Sequence, residues 1–167
     1  MRKNFIAITL FISLIFLTAC QTKQVHLSIE GVNDEHTKGL KVGTTNVNEV
    51  VVDNTKYKIT LLTINTTYND NDGHTLKVKY EIQNKGEESI TIQAKDLFAD
   101  GSIIRDELVH LSQDITSNAT AHAELAVIEA YPYFFPDPRE ELDMSLVIST
   151  ITDTSTPDVI PITIRIV

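Results

Sequence analysis

Two-residue alternation of apolar and polar side chains, cut roughly every eight to fifteen residues by turn signals, constrains this chain more than any other feature. Between Leu76 and Gln83 the alternation is complete. Leu76, Val78, Tyr80 and Ile82 fall on one face, and Lys77, Lys79, Glu81 and Gln83 on the other. Successive strand residues point to opposite faces, so such a segment packs one face on a core and gives the other to water. The same period recurs in Tyr57–Leu61, at Ile90 and Ile92, in Ala121–Val127, at Met144, Leu146 and Ile148, and at Ile162, Ile164 and Ile166. Asp72-Gly73, Asn84-Lys85-Gly86 and Asp100-Gly101 supply turns that accept a positive φ. Helical periodicity is almost lacking; Arg139–Leu142 suggests one helical turn at most. Parallel crossover units need helices between strands, so an antiparallel β-sandwich of about seven to eight strands is predicted.

The N-terminus has a different pattern. Arg2 and Lys3 precede an uncharged run from Phe5 to Ala19, and Cys20 follows. A basic region, an apolar region and small residues form the layout of a secretory signal. As a helix the uncharged run spans roughly 22 Å, short of the roughly 30 Å hydrocarbon core, which disfavours an uncleaved span. Leu17-Thr18-Ala19-Cys20 is similar to a lipobox, in which the cysteine thiolate takes a diacylglyceryl group and the chain is cut before it. Leu17, Thr18 and Ala19 are then the signal-peptidase recognition residues and Cys20 the lipidation site. The expected division is a signal peptide over 1–19, a lipidated N-terminus and tether over 20–41, and the sandwich over 42–167. Val25, Leu27 and Ile29 alternate within the tether and allow a short strand there.

Cleavage before Cys20 leaves twelve Lys and Arg against 23 Asp and Glu, a net charge of −11. A chain this acidic is repelled by nucleic acid, so no nucleic-acid partner is expected. Cys20 is the only cysteine. Its acylation excludes disulfides, a cysteine nucleophile and thiolate metal sites, and the fold must hold through its apolar core.

The layout resembles the telokin-like, immunoglobulin-fold domain of small Gram-positive lipoproteins, a family of unknown general function. The resemblance covers about residues 40–150. It rests on Leu40-Lys41-Val42-Gly43, on Asn54–Ile64, on Leu76–Asn84 with its Asn-x-Gly turn, and on Leu97-Phe98-Ala99-Asp100-Gly101. It implies an all-β, antiparallel immunoglobulin-like β-sandwich at the cell surface and carries no active site across. The chain departs from the family at Ser117-Asn118-Ala119-Thr120, where a Pro-Gly turn is usual.

Candidate chemistry is sparse. Asp70-Asn71-Asp72-Gly73 is similar to part of a calcium loop, with Asp70 and Asp72 as ligands. The EF-hand frame fails, because Tyr68 and Lys79 occupy its first and last ligand positions. A hairpin loop is the favoured reading. His122-Ala123-Glu124 is similar to the start of a zinc deaminase signature but lacks the Pro-Cys-x-x-Cys half, so both side chains are expected on a solvated face. Neither a nucleophile elbow nor a phosphate-binding glycine loop occurs. No cofactor or metal is expected. The most distinctive segment is Tyr131-Pro132-Tyr133-Phe134-Phe135-Pro136. Tyr131, Tyr133, Phe134 and Phe135 suit a partner-binding loop, since aromatic rings give large contact area at low entropic cost. A plug at the end of the core is the favoured alternative, and exposure of both Tyr133 and Phe134 above one half would point to binding.

These readings lead to a lipid-anchored protein on the outer face of the cell membrane, not an enzyme, that binds a protein or cell-wall partner. A small-ligand or metal-binding carrier, an enzyme whose residues converge only on folding, and a structural spacer are the alternatives.

Overall fold

Val, Ile, Thr and Tyr dominate the alternating segments, and their branched or aromatic side chains suit a pleated surface. The computed structural model describes residues 25–33, 38–39, 42–69, 73–136 and 138–167. Its strands are β1 (Val25–Ile29), β2 (Val32–Asn33), β3 (Lys38–Gly39), β4 (Gly43–Asp53), β5 (Tyr57–Asn69), β6 (Gly73–Asn84) and β7 (Ile90–Ala99). They continue with β8 (Ser102–Ile103), β9 (Val109–His110), β10 (Ser112–Ile115), β11 (Thr120–Ile128), β12 (Glu141–Thr150) and β13 (Asp158–Ile166). Eight of these strands run five residues or longer. One 3-10 turn at Asp106–Leu108 interrupts them, and no α-helix occurs among the described residues. Arg139–Leu142, read above as a helical turn, is a bend leading into β12.

One sheet has the order β1-β13-β12-β7-β10, with β8 paired to β7; the other has the order β4-β5-β6-β11-β9. Every pairing is antiparallel except that of β1 with β13. From β6 onward the chain changes sheet five times, between β6 and β7, β8 and β9, β9 and β10, β10 and β11, and β11 and β12. The result is an immunoglobulin-like β-sandwich. Its core lies between the sheets, where Leu76, Val78, Tyr80 and Ile82 of β6 oppose Leu142, Met144, Leu146 and Ile148 of β12, all buried. The Tyr80 hydroxyl donates to Met144 Sδ at 3.1 Å, joining the two layers. Burial drives the Tyr80 hydroxyl well above its ordinary pKa, so it stays a neutral donor.

Three strands depart from plain alternation, among them β7, whose pairing with β12 shifts between Asp143 and Ser145 beside Asp96 at a φ of 52°. In β5 the pairing with β6 shifts between Leu61 and Thr63, and the buried set passes from Tyr57, Ile59 and Leu61 to Ile64. An extra residue there re-phases the strand. The edge strand β4 shifts register twice against β5, between Asn46 and Glu49 and between Val50 and Val52, and Asn48 takes a φ of 54°.

The domain also starts earlier than residue 42. Val25–Ile29, assigned above to the tether, is an ordered strand whose Leu27 and Ile29 are buried. Its ladder with Ile162–Ile166 covers an edge of β13 that would otherwise present unpaired backbone groups. Gly31 N–H donates to the Val167 carbonyl at 2.8 Å and Val167 N–H to the Ile29 carbonyl at 2.9 Å, tying β1 to the C-terminus.

Candidate functional site

The aromatic segment lies in the connection from β11 to β12 at one end of the sandwich. Tyr133 N–H donates to the Ala130 carbonyl at 2.8 Å, closing a turn around the cis Tyr131-Pro132 bond. The turn splits the four rings. Phe135 is 7% exposed and belongs to the core, whereas Tyr131 is 95% and Phe134 78% exposed. Tyr133 is partly buried, with the Arg105 guanidinium 4.6 Å from its ring centroid. Such a contact contributes about 0.5–1 kcal/mol at an exposed site. The segment therefore plugs the core through Phe135 and projects Tyr131 and Phe134 into solvent. Of the two rings whose exposure together would point to binding, Phe134 stands out and Tyr133 does not.

Polar ties brace this loop. Asp100 and Gly101, with φ of 48° and 75°, form the hairpin turn between β7 and β8. The Asp100 carboxylate accepts three backbone N–H bonds, from Arg139, Glu140 and Glu141, each 2.8 Å long. Burial alone would raise its pKa, but these donors and the Arg139 charge hold it below the ordinary carboxylate value. On the other side, Glu129 accepts the His74 N–H at 2.8 Å, and the His74 ring lies 4.7 Å from that of Tyr68. The Glu129 carboxylate rests against Gly73 (φ 67°), where a Cβ would collide with it. Positive φ and close approach both require glycine there.

A folded-state pKa below the unfolded one stabilises above the unfolded value, and the benefit disappears as pH falls through the folded value. Asp100 is expected to hold residues 139–141 at neutral pH and to release them only as pH falls below the ordinary carboxylate value. Hydrogen exchange should show the amides of Arg139, Glu140 and Glu141 losing protection in that acid range, and at pH 7 in Asp100→Ala. Unchanged protection in the variant would refute the tie.

At this end the exposed large apolar residues are Val42, Tyr68, Ile103, Ile128, Tyr131, Phe134 and Val167; Val50, Ile151 and Val159 lie elsewhere. The exposed apolar surface thus gathers where the braced loop stands.

The opposite end carries a cleft of about 470 Å³ lined by Val25, the Val51–Tyr57 segment and Asp158–Ile160. A second hollow of about 470 Å³, floored by Ile90 and Ile148, meets it at Lys56, Tyr57 and Asp158. Lys56 Nζ lies 3.0 Å from Asp158, and the Tyr57 hydroxyl donates to the same carboxylate at 3.2 Å. Burial and the Asp158 charge push the Tyr57 hydroxyl up to about 12, so it remains protonated at neutral pH. This ridge was not singled out in the sequence, since Lys56 and Asp158 lie 102 residues apart.

The remaining expectations divide. His122 and Glu124 stand on the outer face of β11, where Glu124 pairs with Lys77 at 2.9 Å and His122 lies 3.7 Å from Glu81. Asp70 and Asp72, the calcium candidates, lie outside the described residues, as do Leu17, Thr18, Ala19 and Cys20. Among the described residues, no group of three or more His, Cys, Asp or Glu is placed to hold a metal ion. Nor is any helix among them long and apolar enough to cross a membrane.

No family model matches the chain. No curated protein matches it either. Among solved structures it is similar to the GAE domain of yeast GGA1, with a TM-score of 0.36 and 12% identity over 72% of this chain and 99% of that one. It is also similar to the FixG-related protein from Vibrio parahaemolyticus, with a TM-score of 0.37 and 9% identity over 70% and 97% of the two chains.

Proposed function

We propose that the chain is a surface lipoprotein, cut before Cys20 and held by lipid on that cysteine at the outer face of the cell membrane. The observation that carries this reading is Leu17-Thr18-Ala19-Cys20 at the end of a short uncharged run behind Arg2 and Lys3. Each buried acyl CH₂ contributes about 0.8 kcal/mol, so two chains anchor firmly without help from the acidic domain. The resemblance to telokin-like surface lipoproteins supports the same address. The sandwich then acts as a non-enzymatic module that binds a protein or cell-wall partner through the end bearing Tyr131 and Phe134. Their exposure on a braced loop supports that role, since rigid aromatics lose little entropy on binding. A second reading, a small-ligand carrier, is favoured by the cleft beside Lys56, Tyr57 and Asp158.

Detergent phase partition tests the anchor. The native protein is expected in the detergent phase, and Cys20→Ala in the aqueous phase or unprocessed. A variant processed and partitioned like wild type would remove the lipoprotein reading. Cross-linking on intact cells tests the module: Tyr131→Ser with Phe134→Ser should lose adducts that wild type forms, and identical adducts would place the binding surface elsewhere.

A further inference from the structure

Given an acylated Cys20, the position and direction of β1 limit how the domain sits on its membrane. Val25 is five residues beyond Cys20. Whatever path the chain takes between them, its length cannot exceed about 18 Å. The attachment is therefore a short leash, in place of the long tether suggested by the polar stretch to residue 41.

β1 runs parallel to β13, with Val25 opposite Ile162 and Ile29 opposite Ile166. β13 starts at Asp158, beside the cleft, and ends where Ile166 N–H donates to the Glu140 carbonyl at the aromatic end. The leash thus joins β1 on the cleft side. Ile162 is four residues from Asp158, about 13 Å along the strand. With the reach of that leash, Cys20 can lie no more than about 5 Å beyond the cleft end. The surface closest to its point of entry is the lining that Val25 shares with Val51–Tyr57 and Asp158–Ile160.

We infer that the cleft end, around Thr55, Lys56 and Asp158, rests against the headgroups of the anchoring bilayer and that Tyr131 and Phe134 point away from it. β5 spans the sandwich with thirteen residues, a rise of about 40 Å. The exposed rings then lie beyond the reach of their own membrane and face whatever approaches from outside. The inference rests on the lipoprotein reading above, and it names the lipid surface as the neighbour of the cleft end.

With Cys20 acylated, an introduced cysteine is the only free thiol. Thr55→Cys and Tyr131→Cys, both at exposed positions, are labelled in the full lipidated protein. The protein is reconstituted in phosphatidylcholine vesicles containing a headgroup-linked quencher. The expected result is quenching several-fold stronger at position 55 than at 131. Equal quenching with Cys20 acylated, as for a sandwich lying on its side, overturns the orientation alone, and so does stronger quenching at 131. An intact mass showing unmodified Cys20 removes the anchor and the orientation together.

Discussion

Asn84→Asp is expected to lower stability by about 3–5 kcal/mol at pH 7, because it puts a charge where the fold needs a donor. Asn84 is 1% exposed. Its amide N–H₂ donates to the carbonyls of Glu88 at 2.8 Å, Thr116 at 3.1 Å and Ile115 at 3.3 Å. Its own carbonyl accepts the Gly86 N–H at 3.0 Å. One side chain therefore clasps the β6–β7 turn to the segment between β10 and β11. A carboxylate of the same size would face three carbonyl dipoles with nothing to donate, in a place water cannot reach. Desolvation would raise the pKa of the new carboxyl in the folded state, so the penalty is full above that value and eases as pH falls through it. Urea unfolding at pH 7 and pH 5 should show a large deficit that narrows at the lower pH. A midpoint equal to wild type at pH 7 would mean that the clasp contributes nothing.

A chain beginning at Val42, the boundary that composition suggests, is expected to lose about 3–6 kcal/mol relative to one beginning at Gln21. It forfeits the burial of Leu27 and Ile29, each contributing about 1.5–3 kcal/mol. It also uncovers the edge of β13 along Ile162–Ile166, whose free backbone groups invite pairing with another molecule. Denaturant midpoints of the two chains, with sedimentation to follow association, measure both effects. Identical midpoints would reduce β1 to an ornament on a sandwich complete without it.

The two predictions mark the boundary of what the sequence made legible. The inward faces of β6, β11 and β12 could be read because their pattern is local: every second residue is apolar and turn residues flank the run. β1 has the same alternation, but short length and charged surroundings made it look like part of a linker. Its strand status depends on β13, more than a hundred residues away, needing a partner. The insertion in β5 was equally hidden, since a single added residue alters pairing without altering composition. Asn84 was recognised as a turn former, and its clasp on Ile115 and Thr116 depends on loops that meet only in three dimensions. The aromatic loop was found by composition, but its division into an inward Phe135 and outward Tyr131 and Phe134 depends on the turn around Pro132. The Lys56–Tyr57–Asp158 ridge had no signal at all, because a lone lysine and a lone aspartate are the commonest of surface residues.

The warped outer ribbon, β4, has a further consequence. Its two register breaks and the left-handed Asn48 keep the rim of that sheet from lying flat against an identical rim. On the proposed lipid anchor, molecules would be confined to a plane and would meet far more often, and in fewer orientations, than molecules tumbling in bulk. Under such crowding a straight rim would zip neighbours into continuous ribbons, whereas a rim that twists out of register limits each encounter to a few transient bonds. An irregularity that looks like a flaw in the ladder would then work against edge-to-edge pairing of anchored neighbours.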